Sequence, residues 1–368
     1  MSAPRITILV NGSKDSIEAV RARGLSSRCA AGSVEILYRE PDRNATARTW
    51  NESLDRRRPD LIYVINTAQP GLGVALSQRF RNRIPYILDT GDAVFEMARA
   101  SGLAPLWRLP LLWAGEWLGQ RMAATVVVRG SRHVEHLKSA GILHVAMISD
   151  GCSEAVEPSP QSVEALRLRH GLGDARIVGV LGSLVYSPRL RICYGWDLLN
   201  ALVRLRDLNV KGLIIGDGPG KDWLTGEAER LGVKDRVVFC GRIPYAEVPA
   251  YLRLFDIALS TQTNNLPGQV RTTGKIPEYM AAGRFILASR VGEAERLLPP
   301  EMLVDFHGEM DPEYPARLAE RIRGVFENLE LLTKLGESLK DKARQFCSYP
   351  VLAERFNDVV QETMRRGA

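Results

Sequence analysis

The residues best suited to chemistry in this chain of 368 residues stand together in "TTGKIPEYMAAGRFILAS", Thr272 to Ser289. Pro277 suits the first turn of a helix, where a missing N–H is no loss, and Gly283 suits its C-terminal stop before the apolar strand Phe285-Ile286-Leu287. The helix so defined is short, about two turns. Its N-terminus offers unpaired N–H groups and partial positive charge, Gly274 permits close backbone approach, and Lys275 adds a full cation, so an anion such as phosphate fits there. Glu278 would repel a phosphate placed directly against it, although a first-turn glutamate also complements the helix dipole. A ligand carrying both phosphate and hydroxyl groups satisfies both residues. A P-loop is excluded, because five residues separate Gly268 from Gly274 and Ile276 occupies the place of the magnesium-binding Ser/Thr.

Four further groups of residues could act. The turn Gly216-Asp217-Gly218, continuing to Gly220, reads equally as nucleotide-binding or as simple tight turning. The loop Gly182 to Gly195 carries Arg189 and Arg191, either able to reach a diphosphate or to lie solvated. Asp89 and Asp92 in "YILDTGDAVF" read as turn and N-cap chemistry. His133 and His136, three apart on an expected helix, permit metal binding, but no HExxH pattern or partner carboxylate accompanies them, and no metal site is expected. The five cysteines are scattered singly, which excludes a zinc motif or disulfide framework and fits a reducing cytoplasm.

These residues need elements to hold them. Short apolar runs ("ITILV", "LIYVIN", "YILD", "TVVV", then "IVGVLGS", "GLIIGDG", "VVFCG", "IALS", "FILAS") alternate with amphipathic segments. That alternation predicts an α/β fold with two doubly wound parallel sheets, whose ligands sit at the carboxyl ends of the strands. The polar, proline-containing "DGCSEAVEPSPQ" reads as the connector between them. The net charge of +6 and pI near 9.1 favour anionic ligands or an anionic surface but are too diffuse to indicate nucleic acid. A strand begins at Arg5 with no signal peptide before it, and no run of about twenty apolar residues is present to span a bilayer.

In order and spacing the chain resembles the GT-B retaining glycosyltransferases of family 4, glycosyl transferases group 1. The resemblance is carried by the "GS" loop, "GDGP", "VVFCGRIPYAEVPAYL" and "GKIPEYMAAGRFILASRVGE", and in the first half by "ATVVVRGSRHVEHLKSAG" and "VAMISDGCS". It implies two Rossmann-like domains facing a cleft: an acceptor-binding domain over 1–155, a nucleotide-sugar-binding domain over 156–348, and a last helix over 349–368 crossing back to the first. It further implies that Glu278 accepts the ribose hydroxyls, that Lys275 and the Thr272, Thr273 and Gly274 amides face the diphosphate with Gly182, Ser183, Gly216, Asp217 and Gly218 nearby, and that Arg242 and Ile243 meet the base. The departures matter. Ser183 and Tyr194 stand where the family has its diphosphate-binding Arg and Lys, so Arg189 or Arg191 must substitute. Val270, eight residues before Glu278, replaces the family's first glutamate, leaving Gln269 or Arg271 to contact the donor sugar. The customary histidine before Asp92 is absent, and the resemblance leaves Asp92 to position the acceptor hydroxyl.

The implied function is retaining, metal-independent transfer of a sugar from a UDP- or GDP-linked donor to a hydroxyl acceptor, with no separate cofactor. A GT-B epimerase or hydrolase and a catalytically weak scaffold subunit are the rival expectations. "LAPLWRLPLLWAGEWLGQRM", Leu103 to Met122, bears on the acceptor. Its three tryptophans, leucines and flanking arginines read either as a buried helix with amphipathic ends or as a helix lying on an anionic membrane, where it would meet a lipid-linked acceptor at the inner face.

Overall fold

The computed structural model describes residues 4–152 and 157–367. The expected division at 155/156 lies outside the described residues. Before it, six parallel strands form one sheet: β1 (Arg5–Val10), β2 (Ser33–Tyr38), β3 (Leu61–Ile65), β4 (Tyr86–Thr90), β5 (Thr125–Val128) and β6 (Val145–Met147), in the order β2-β1-β3-β4-β5-β6. After it, β7 (Arg176–Leu181), β10 (Val210–Ile215), β11 (Val237–Gly241), β12 (Ile257–Ser260), β13 (Phe285–Ser289) and β14 (Leu303–Val304) form a second parallel sheet ordered β11-β10-β7-β12-β13-β14, with a small hairpin, β8 (Tyr186–Ser187) and β9 (Ile192–Cys193), in the loop after β7. The central strands are apolar throughout because helices cover both faces of each sheet; β3, β4 and β5 are buried at every position.

The strand order reverses between β1 and β3 and between β7 and β12, so the loops after β7 and β12 flank the crevice where such sheets take ligands. The shortest strands and one edge strand do not show as apolar runs. β2 is an edge strand in which Ser33 and Glu35 interrupt the apolar residues, and β8, β9 and β14 are two residues each.

Two chain crossings join the halves side by side. The Cys152 amide donates to the Cys347 carbonyl at 2.9 Å, beside a parallel bridge from Cys152 to Ser348. The chain then enters the helix Tyr349–Gly367, whose Leu352, Phe356 and Val360 are fully buried in the core of the first sheet with Ile6, Ile8 and Tyr63. Phe356 packs tilted on Tyr63 with ring centroids 5.1 Å apart.

The segment Leu103–Met122 corrects the buried-helix reading. It forms a single turn at Leu106–Arg108 and the helix Leu109–Met122, in which only Gly119 and Gln120 are buried. Leu106 is 84 % exposed, Trp107 67 % and Leu111 66 %, with Leu103, Trp113 and Trp117 also turned to solvent. Trp113 stacks on Trp117, and Arg108 and Arg121 lie over the rings of Trp107 and Trp117. Glu116 is turned toward the protein, its two oxygens accepting the Val94 and Phe95 amides at 2.8 Å each and so capping the helix Val94–Ser101.

Candidate active site

The helix bearing the Lys-x-x-Glu pair runs from Lys275 to Ala281 and stops at Gly283, which takes a left-handed φ of 64° before β13. Ile276, Pro277, Tyr279 and Met280 bury one side of it. The Tyr279 hydroxyl accepts the Leu181 amide at 2.8 Å, tying the helix to the end of β7. Lys275 and Glu278 occupy the other side, one turn apart. The Lys275 ammonium lies 3.6 Å from the centre of the Tyr194 ring, and burial together with the nearby Arg271 charge holds its pKa well below that of an ordinary lysine. The Glu278 carboxylate accepts the Tyr245 hydroxyl, and burial pushes its pKa up to about 7. A cation and a carboxylate thus wait in low-dielectric surroundings without each other as partners.

The glycine turns are set by close backbone packing. A Cβ on Gly216, whose φ is 139°, would lie 1.9 Å from the Gly182 carbonyl oxygen, and one on Gly218 would lie 2.4 Å from the Leu184 carbonyl. The two loops therefore pass too closely for any side chain. Asp217 spends one oxygen on the Gly218 amide, and Ser183 and Arg242 are exposed beside Gly182 and Ile243 respectively. At Gly182 a Cβ would lie 3.2 Å from Lys275 Nζ, which places that ammonium at the mouth of the β7 loop.

The remaining expected residues divide. Gln269 is committed at both ends, donating to Asn264 and accepting from Gly292. Thr273 pairs with Ser260 through its hydroxyl at 3.2 Å. Thr272 donates to Asp150 at 3.0 Å, and Arg271 forms an ion pair with Asp92 at 3.0 Å, so the loop before Lys275 is fastened to the first sheet's carboxyl edge at two points. Gly274 is exposed and leads the helix. Arg189 is engaged elsewhere, in an ion pair with Glu309 at 2.5 Å and against the carbonyl of Ala100 at the end of the helix Val94–Ser101. Arg191 is exposed, at a φ of 53°, with no ion pair among the described residues.

Asp89 corrects its reading as turn or N-cap chemistry. It is fully buried near the end of β4, paired with Arg21 at 2.8 Å and accepting the Tyr63 hydroxyl at 2.8 Å, with Arg129 at 3.7 Å. Arg129 continues the chain to Asp150 at 3.0 Å. Asp92 is turned to Arg271, and Glu116 holds the amides that Asp92 would have capped. The run Arg21–Asp89–Arg129–Asp150–Thr272 was not legible beforehand, because its members are far apart in sequence. Ser131 adds another clasp, donating from both amide and hydroxyl to Glu293. His133 is buried with neither ring nitrogen bonded, and burial lowers its pKa to about 4. Among the described residues no three His, Cys, Asp or Glu side chains converge on a metal position.

This is the GT-B architecture: two Rossmann-like sheets whose carboxyl edges face each other across a cleft. The fold is shared with the Anabaena protein HepE in complex with UDP-glucose (TM-score 0.76, 18 % identity, covering 98 % of this chain and 100 % of that one) and with sucrose-phosphate synthase of Thermosynechococcus elongatus (TM-score 0.77, 15 % identity, 99 % and 100 %). Residues 175–328, the greater part of the second sheet's domain, match the family glycosyl transferases group 1. In sequence the chain is similar to the 2-deoxystreptamine glucosyltransferase of Streptomyces kanamyceticus, at 28 % identity over 59 % of this chain and 54 % of that one. It is also similar to the GDP-mannose-dependent alpha-(1-6)-phosphatidylinositol monomannoside mannosyltransferase of Mycolicibacterium smegmatis, at 35 % identity over 40 % and 37 %. These matches span about half or less of the relatives' lengths.

Proposed function

We propose that the protein transfers a sugar from a UDP- or GDP-linked donor to a hydroxyl acceptor, with retention at the anomeric carbon and without a divalent metal. The observation that carries this reading is the Lys275–Glu278 pair on one side of a short helix at the crevice between β7 and β12. A diphosphate beside Lys275 and Gly182 leaves the ribose hydroxyls to Glu278 and the base to the Arg242–Ile243 backbone. The hexose then faces Gln269, Arg271 and Asp92, with Asp92 orienting the acceptor hydroxyl. As the bond from the anomeric carbon to the phosphate oxygen breaks, the acceptor oxygen bonds to the same face and its proton passes to the departing phosphate. Lys275, the Thr272–Gly274 amides and Arg191 stabilise the growing negative charge.

For the acceptor we favour a lipid-linked or polysaccharide precursor met at the inner face of a membrane. The exposed Trp107, Leu111 and Trp113, with Arg108 and Arg121 beside them, have the composition of an interfacial helix, and an apolar face of this kind usually marks an interaction surface. The matched mannosyltransferase carries a phosphatidylinositol compound in its name, which points the same way. Incubation with a panel of UDP- and GDP-sugars, with and without a hydroxyl acceptor, tests the reading. Sugar transfer only when acceptor is present supports it. Sugar release or epimerisation without acceptor, or binding without turnover, would replace it with a hydrolase or epimerase, or with a scaffold subunit.

A further inference from the structure

Lys275 has no carboxylate partner among the described residues, yet its ammonium is held in one place. The Tyr194 ring lies beneath it at 3.6 Å. That ring is itself fixed at both ends. Its hydroxyl donates to the Leu259 carbonyl at 3.0 Å near the end of β12, and its backbone leads into Gly195, whose φ of 101° starts the helix Trp196–Arg204. Gly182 closes the third side, where a Cβ would stand 3.2 Å from both Lys275 Nζ and the edge of the Tyr194 ring. Burial keeps the phenol protonated, so the platform offers the face of a neutral ring and no competing negative charge.

We infer that Tyr194 is a positioning residue: it holds the Lys275 ammonium at the Gly182 loop, ready for the donor's diphosphate. The physical case is that a four-carbon lysine stem is flexible and an ammonium in a desolvated pocket needs an electron-rich neighbour. A carboxylate would satisfy the lysine permanently and repel the incoming phosphates. A ring face steadies the cation while leaving N–H donors on its far side for the ligand. The groups around the lysine agree with this division. Arg271, four residues earlier, adds positive charge, Tyr279 is committed to Leu181, and Glu278 is held by Tyr245. Asp197, half-buried near Tyr194, has its pKa pushed up by desolvation to about 7, which weakens it as a rival anion.

This inference rests on the donor-site reading, and the test separates the two. The affinities of UDP and GDP, and of uridine and guanosine, are measured by calorimetry for the wild type, Tyr194→Phe, Tyr194→Leu and the double variant Tyr194→Lys/Lys275→Ala, with a thermal melt of each. Tyr194→Phe should stay within about threefold of the wild type. Tyr194→Leu should bind the favoured diphosphate about 10- to 30-fold more weakly with its nucleoside affinity unchanged. The double variant should regain most of the diphosphate affinity, because a lysine at 194 can place its own ammonium where the ring now supports the other. Wild-type binding with no diphosphate-specific loss in Tyr194→Leu, or equal losses for nucleotide and nucleoside, overturns the positioning role alone. If neither UDP nor GDP binds the wild type, the donor site and this inference fall together.

Discussion

Replacing Glu278 by Gln should make the empty protein more stable at pH 8 and less able to bind its ligand. Burial holds this carboxyl at about 7, against an ordinary 4.5, with the Tyr245 hydroxyl favouring its ionised form but not offsetting the burial. In the unfolded chain the proton leaves first, so the folded state loses relative stability as pH rises from about 4.5 to 7 and does not regain it above. The displacement is worth at most about 3.5 kcal/mol, at ~1.4 kcal/mol per pH unit. Glutamine removes this dependence while its amide oxygen still accepts from Tyr245. Calorimetric or urea unfolding without nucleotide should show Glu278→Gln stabilised at pH 8 and near wild type at pH 5. The same variant should bind UDP or GDP about 10-fold or more weakly, since a charged acceptor is worth about 1.5–3 kcal/mol to a ribose hydroxyl. A variant that is equally stable or weaker at pH 8, or one shifted by the same amount at both pH values, would refute the reasoning.

Three other outcomes follow from the same structure. Asp89→Asn leaves the buried Arg21 guanidinium without its ion pair and should lower stability by about 3–5 kcal/mol in a urea titration; a loss under 1 kcal/mol would contradict the buried-pair account. If lysine and amides stabilise the diphosphate, a chelator should leave most transfer activity intact, and abolition rescued by magnesium or manganese would show a metal requirement. Anionic vesicles should sediment the protein in a salt-sensitive manner. Trp107→Ser with Trp113→Ser should weaken that binding without moving the melting temperature, because both rings are exposed. No sedimentation at low salt would leave a soluble acceptor as the better reading.

The parallel sheets were legible because strands buried on both faces spell continuous apolar runs, as "LIYVI" and "TVVV" do. β2 was not, since an edge strand carrying Ser33 and Glu35 lacks that mark. At the site, the pairing of Lys275 and Glu278 on one side of a helix follows from their spacing. Tyr194 and Tyr245, which hold them, come from other loops and carry no local signal. The charged run from Arg21 to Asp150 escaped for the same reason: its partners meet only when the helix Ile17–Ser26 packs against strand ends from separate parts of the chain. The outward face of Leu103–Met122 was ambiguous because a leucine- and tryptophan-rich segment has the same composition in a core and on a surface. Glu116 turning inward to cap a neighbouring helix fixes which side faces out.

The central claim is that Lys275 and Glu278 bind the diphosphate and ribose of a nucleotide-sugar. A crystal structure of the protein soaked with UDP and, separately, GDP tests it most directly. The account predicts the diphosphate within hydrogen-bond distance of Lys275 Nζ and the Gly182 loop, with the ribose hydroxyls on Glu278. Nucleotide bound elsewhere, or a diphosphate that leaves Lys275 on the Tyr194 ring without contact, would contradict it.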